Sequence, residues 1–392
     1  MLPDTRLMTV MLVAGEPSGD AIGAELMMAL RKARPGIVIT GVGGPAMRRQ
    51  GLVSLFDIAD LTVMGIREVL PRLAGIMRRM REVASFALRT KPDAVVLIDS
   101  GDFNHRVAKR IRGHDNSIPL IKYVSPQIWA SRPGRAKALA RTFDEVLCLL
   151  PFEPAFYAAF GLPATFVGHP VAERAARMTG GAALRARLGI GPGQKILCVL
   201  PGSRRAEVNY LLGPFRETVA RLATNVPGLH CVLPLVPGVA WRVRAGCADW
   251  PVPLHFLETD DDKFAAFDAA DAALAASGTV ATELAVAGCP MIVAYRMGRL
   301  TVAVWRRLIK VKFVTIANLI LGREAVPEFI QEKLVPEAMA DALARLLTDP
   351  AAAEAQRRDL ALAADALGIN DLKPAARAAD RVLSVIAARS KS

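Results

Sequence analysis

No two of the five cysteines, Cys148, Cys198, Cys231, Cys247 and Cys289, form a CxxC pair; they are scattered and odd in number. That argues against both a disulfide framework and a cysteine zinc site, and suits a reducing cytoplasm. No uninterrupted apolar stretch reaches the roughly 20 residues that a spanning helix needs, although 52% of the residues are hydrophobic. The early run "LMTVMLVAG" follows Asp4 and is followed by "EPSGD" where a cleavage site would need small residues. It reads as a strand, not a signal peptide. Aromatics are only 6%, and the arginines alternate with Leu, Ile, Met and Val, a pattern that favours a lipid surface over nucleic acid. Acid is missing from Leu284 to Arg323, where Arg296, Arg299, Arg306, Arg307, Lys310 and Lys312 accumulate.

What is present is positive charge and a regular alternation. The net charge of +13 calls for an anionic partner: nucleic acid, a phosphorylated small molecule or an acidic membrane. With 392 residues, two domains are the default. Apolar runs at 8–14, 36–42, 94–98, 119–124 and 145–149 alternate with amphipathic helical stretches, and after a small, charged linker the pattern restarts at 195–203, 230–236, 272–277 and 290–295. This predicts an α/β fold with two Rossmann-like, doubly wound halves. The expected divisions are 1–172, 173–345, and a C-terminal helical stretch 346–392 that folds back over either half.

In such sheets, residues following a strand face the ligand. "VLIDSGDFN" (96–104) sets Asp99 and Asp102 at a strand end, with chemistry and structure both open. "VAGEPSGD" (13–20) makes a turn of Gly15, Ser18 and Gly19, suited either to an anion or sugar or to a helix cap by Ser18 or Asp20. "GVGGPAM" (41–47) lacks the third glycine of a dinucleotide fingerprint and reads better as a tight strand-to-helix turn. "LPGSRRAEV" (200–208) places Gly202, Ser203, Arg204 and Arg205 where guanidinium groups meet a diphosphate. "ASGTVATEL" (276–284) offers Ser277, Gly278 and Thr279 at a helix start, with Glu283 either accepting from ribose hydroxyls or closing a capping box. "ETDDDK" (258–263) reads as a solvated loop rather than a metal site, and His105 and His169 fit either acid–base groups or, as is commoner beside turns, structural histidines. Two basic-apolar stretches fit either an anionic membrane or ordinary core faces with solvated arginines: Arg72, Ile76, Met77, Arg78 and Arg79 in the first, Trp305, Arg306 and Arg307 in the second.

Taken in order, "VAGEPSGD", "GVGGPAM", "VMGIREVL", "IDSGDFN", "YVSPQIWA", "LPFEP", "FVGHP", "LPGSRRAEV", "ASGTVATEL", "CPMIVAYR" and "ANLILGRE" resemble the lipid-A-disaccharide synthases along nearly the whole chain. The resemblance implies a GT-B fold, two Rossmann-like domains facing a central cleft, with an acceptor and lipid side first and a UDP-sugar side second. It implies inverting transfer of 2,3-diacylglucosamine from its UDP conjugate to 2,3-diacylglucosamine 1-phosphate, with no metal and no cofactor. It also implies an enzyme peripheral to the cytoplasmic face of the inner membrane, with an anionic lipid surface as partner and a homodimer as the assembly; nucleic acid is not a partner.

On this resemblance Asp99 is the first candidate base and Asp102 the second, while Glu16, with Gly15, Ser18, Gly19, Asp20 and Met64, belongs to the acceptor side. Gly202, Ser203, Arg204, Ser277, Gly278, Thr279, Glu283 and Asn318 would hold UDP, with Arg205 beside them. Three motifs depart from the family's usual "IDAPDFN", "WAW" and "GSRG": this chain has "IDSGDFN", Ser131 and Arg205. The rivals are another UDP-sugar enzyme of the same architecture, a non-catalytic peripheral lipid-binding protein, and a nicotinamide dehydrogenase.

Overall fold

The structure is a computed structural model that describes residues 7–61, 66–298, 302, 311–370 and 373–389. Met64, Trp305, Arg306 and Arg307 lie outside the described residues, as does the side chain of Arg72. The chain forms two compact units, Met1–Pro170 with Leu372–Ser392, and Val171–Asp371.

The first unit is built on β1 (Thr9–Ala14), β2 (Val38–Val42), β3 (Ala94–Ile98), β4 (Leu120–Tyr123), β5 (Glu145–Cys148) and β6 (Ala164–Phe166), all parallel, in the order β2-β1-β3-β4-β5-β6. The strands are continuous apolar runs because helices cover both faces. Val10, Leu12 and Ala14 pack with Leu26, Met27 and Leu30 of helix Pro17–Ala33 and with Val382 and Ile386 of helix Pro374–Arg389. Met11 and Val13 take the opposite side, against Val83 and Ala87 of helix Ile66–Thr90 and Val107 and Ile111 of helix Gly101–Arg112. A one-residue slip of β1 would exchange these two sets of partners.

The second unit holds β7 (Lys195–Leu200), β8 (Leu229–Pro234), β9 (Leu254–Leu257), β10 (Ala272–Ala276), β11 (Met291–Tyr295) and β12 (Glu328–Ile330), parallel in the order β12-β11-β10-β7-β8-β9. Its centre, β10, is "AALAA", whose small side chains let helices on both faces approach closely. On one face Ala273 and Ala275 join Leu284, Phe264 and Phe267; on the other Leu274 and Ala276 join Phe215, Leu211 and Leu343. Of the stretch after 346, helix Pro350–Ala366 stays with the second unit, while helix Pro374–Arg389 packs on helix Pro17–Ala33. Arg381 anchors that last helix with two bonds, 2.7 and 2.6 Å, to the buried carboxylate of Glu145.

The five cysteines are buried and unpaired. Burial, helped by Asp271 and opposed by Arg357, pushes the Cys289 thiol up to about 12. In each sheet the strand order reverses direction once, between β1 and β3 and between β7 and β10. The loops leaving the carboxyl ends of those strand pairs diverge to opposite faces, so each unit has a crevice at that point.

Candidate active site

At the first reversal the chain leaves β3 through two consecutive non-glycine residues in the left-handed region, Asp99 (φ 51°) and Ser100 (φ 44°). Each such residue costs on the order of 1–3 kcal/mol and persists only where the surroundings fix it. Here they do. Asn104, fully buried, donates its amide to the carbonyls of Ile98 (2.9 Å) and Asp99 (3.0 Å), and the Asp99 N–H bonds Tyr123 O at 2.9 Å. The buried ammonium of Lys122, on β4, also donates to the Asp99 carbonyl. Burial lowers the Lys122 pKa to about 8, against the opposing pull of Asp99 and Glu16.

The carboxylate of Asp99 so placed accepts from Ser18 Oγ at 2.7 Å. Each residue of "GEPSGD" now has a physical part. A Cβ at Gly15 would stand 2.7 Å from Ser100 Oγ, and one at Gly19 3.3 Å from the Ile98 carbonyl, so only glycines let this loop lie against the end of β3. Glu16 is exposed at the cap of helix Pro17–Ala33. Asp20 is directed away from any substrate: buried, it accepts from the N–H groups of Gly44 (2.7 Å), Ala46 (2.8 Å) and Met47 (3.0 Å). It therefore caps the neighbouring helix Pro45–Arg49, and "GVGGPAM" is the turn that receives it. Asp102 differs from Asp99 in being open to solvent, its side chain 82% exposed and 3.6 Å from Arg135. His105, a turn further on, is half-buried, and burial followed by Arg135 and Lys109 lowers its pKa.

At the second reversal a cavity of about 690 Å³ opens, lined by Gly202, Ser203, Arg204, Ser277, Gly278, Thr279, Lys263 and Glu283 among others. That size suits a nucleotide-sized ligand. The two helix starts around it are not equivalent. Glu207 occupies the start of helix Arg205–Asn225, accepting from the N–H groups of Ser203 (3.0 Å) and Arg204 (3.2 Å) and from Arg204 Nη1 (2.9 Å). Those backbone donors are spent on the protein itself, while Arg205 is exposed. Helix Thr279–Val286 has no acid in its first turn and no side-chain cap, so its N–H groups and positive dipole end are open to an anion.

Glu283 closes no capping box. It is buried and accepts from Arg174 Nη1 at 2.9 Å and Lys263 Nζ at 3.2 Å, two cations on one carboxylate in the cavity wall. Asn318 does not line the cavity. Its amide is fully used, donating to Val326 O (2.7 Å) and Glu328 Oε1 (2.9 Å) and accepting from the N–H groups of Ala325 and Val326. Its part is to shape the turn before β12.

The acids of "ETDDDK" form the first turn of helix Asp260–Ala269, capped by Thr259, rather than a loop. Asp261 pairs with Arg177 and Asp262 with Arg187. Of the membrane candidates, Ile76 packs against the first unit's core. Arg79 is bound by Asp60 and Glu82 over the Phe56 ring, and Met77 and Arg78 are left exposed. Sequence reasoning missed Lys122, Glu207, Lys263 and Arg174. Only Lys122 carried a local signal, a charge inside the buried run "PLIKYV".

The chain matches the family model described as lipid-A-disaccharide synthetase over residues 10–379. It is 48% identical over 381 residues to the lipid-A-disaccharide synthase of Rhodospirillum centenum, covering 97% of this chain and 95% of that protein. Against the lipid-A-disaccharide synthase of Rhodopseudomonas palustris strain HaA2 the identity is 46% over 377 residues, with 96% and 95% covered. Among solved structures, a putative UDP-N-acetylglucosamine 2-epimerase from Listeria monocytogenes superposes with a TM-score of 0.65 at 13% identity, covering 98% of this chain and 97% of that one. Acinetobacter baumannii MurG gives 0.57 at 16%, covering 97% and 100%. These structural likenesses establish the GT-B type of fold and nothing finer. The sequence matches, which run through both reversal points, establish the rest: the chain belongs to the lipid-A-disaccharide synthase family of glycosyltransferases.

Proposed function

We propose that this chain transfers 2,3-diacylglucosamine from UDP-2,3-diacylglucosamine to the 6-hydroxyl of 2,3-diacylglucosamine 1-phosphate, with Asp99 as general base. The observation that carries the assignment is the geometry of Asp99. Two strained residues, with the Asp99 carbonyl bound by the Asn104 amide and the Lys122 ammonium, set the Asp99 carboxylate where it accepts from the Ser18 hydroxyl at 2.7 Å.

In a single displacement the acceptor oxygen attacks the anomeric carbon as its proton passes to Asp99. The bond to the UDP oxygen breaks with its electron pair leaving on the diphosphate, and the anomeric configuration inverts. The open N-terminus of helix Thr279–Val286 and the exposed guanidinium of Arg204 take up the charge that develops on UDP. Glu283, paired with Arg174 and Lys263, accepts from ribose hydroxyls. Ser203 and Gly202 shape the floor, and Glu16 orients the acceptor.

No described helix is long and apolar enough to cross a membrane. A peripheral position on an anionic bilayer, led by Met77 and Arg78, fits acceptor and donor lipids whose chains stay in the membrane. A homodimer is part of the same proposal. The test is UDP release from the two lipid substrates in detergent, by wild type and Asp99→Asn. A loss of roughly 10³-fold in kcat is expected from removing the base, with UDP affinity by calorimetry unchanged. Full activity in the variant would remove Asp99 from this role.

A further inference from the structure

Lys122 stands in the middle of β4, opposite Leu97 of β3 and Val146 of β5, in a sheet whose other members at this depth are apolar. A fully buried ammonium in such a layer is unfavourable and is kept only where it has a partner. Its hydrogen-bond partner among the described residues is the Asp99 carbonyl oxygen, which also receives the Asn104 amide. That carbonyl belongs to the first of the two left-handed residues, so its orientation fixes where the carboxylate of the same residue points.

We propose that Lys122 is the positioning residue of the general base, its buried ammonium locking the strained Asp99 turn and lending the carboxylate a fixed counter-charge. This rests on Asp99 being the base. Lys122 touches no substrate and acts through Asp99 alone. The other charged groups felt at Lys122 or feeling it are Glu16, in the loop after β1, and His105, on helix Gly101–Arg112, whose own protonated form Lys122 disfavours.

Lys122→Met preserves length and apolar packing while removing donor and charge. The expected result is a kcat lowered roughly 10²-fold, the scale of a misplaced catalytic group, with KM for the UDP donor unchanged. In the Asp99→Asn background the same change adds nothing further, since residues acting as one unit do not add. Lys122→Gln, which removes the charge and keeps a donor on a shorter side chain, carries the same kcat-against-KM test if the methionine variant does not fold.

Wild-type kcat in either folded variant, or a raised KM for the UDP donor with kcat unchanged, overturns the proposal while Asp99→Asn remains inactive. An active Asp99→Asn overturns the base assignment first. A further loss from Lys122→Met in the Asp99→Asn background shows that Lys122 acts by another route, and equally overturns the proposal.

Discussion

The two sheet reversals solve the same topological problem with opposite backbones. At the first reversal the residues in the left-handed region are Asp99, Ser100 and, beside them at the end of β4, Val124 (φ 70°); at the second they are Gly202 (φ 112°) and Gly278 (φ 147°). Glycine relieves such turns, and at Gly278 it leaves the following helix start without a side-chain cap, which is what a phosphate requires. A side chain at the same kind of turn costs strain and gains direction, which is what a base requires. The contrast assigns chemistry by backbone: one edge presents a carboxylate, the other presents amides.

The largest effect that sharpens this contrast comes from the residue holding the strained edge. Lowering Lys122 from the usual 10.5 to about 8 corresponds to a cost of about 3 kcal/mol for keeping the ammonium buried. Between those pH values the unfolded chain binds more protons at this lysine, so wild-type stability rises with pH through that window and bears the full cost below it. Urea denaturation at a series of pH values is expected to show this rise in wild type and its absence in Lys122→Met, with the variant no less stable at neutral pH.

On the glycine-rich edge, Glu283→Ala leaves Arg174 and Lys263 facing each other without their shared carboxylate. Allowing for their partial exposure, a loss of about 2 kcal/mol is expected, read from the urea midpoint together with weakened UDP binding. Gly202→Ala follows, at about 1–2 kcal/mol. Its Cβ would meet Glu207 Cβ at 2.6 Å, and calorimetry is expected to register the disturbed cavity as reduced UDP affinity. Smallest is Asp102→Asn, whose exposed contact with Arg135 at 3.6 Å is worth under about 0.5 kcal/mol. Activity within about threefold of wild type is expected. A collapse comparable to Asp99→Asn would erase the distinction between the two acids.

The alternation of apolar runs was enough to read two parallel sheets, because strands covered on both faces are written as continuous hydrophobic segments. Asp99 was legible for the same reason, as the first acid after β3. The resemblance ranked Asp99 ahead of Asp102, but the difference in their settings was not legible, since one residue's left-handed turn and the other's exposure are set by Asn104, Lys122 and the loop after β1. Glu283 could not be told from a capping residue because Arg174 lies 109 positions away. Asp20 and Asn318 read as ligand contacts because polar residues in glycine-bearing turns look alike whether they bind a substrate or the chain itself. In both cases the backbone claims every oxygen that spacing had offered to the ligand.

The return of helix Pro374–Arg389 to the first unit has a consequence for synthesis. Val382 and Ile386 complete a core layer begun by Val10 and Leu12, so the unit translated first is the one finished last. While the ribosome extends through Val171–Asp371, the face of β1 and β3 beneath that helix stays uncovered, and the second unit folds as an insertion between the two parts of the first. Order of translation and order of completion are thus reversed.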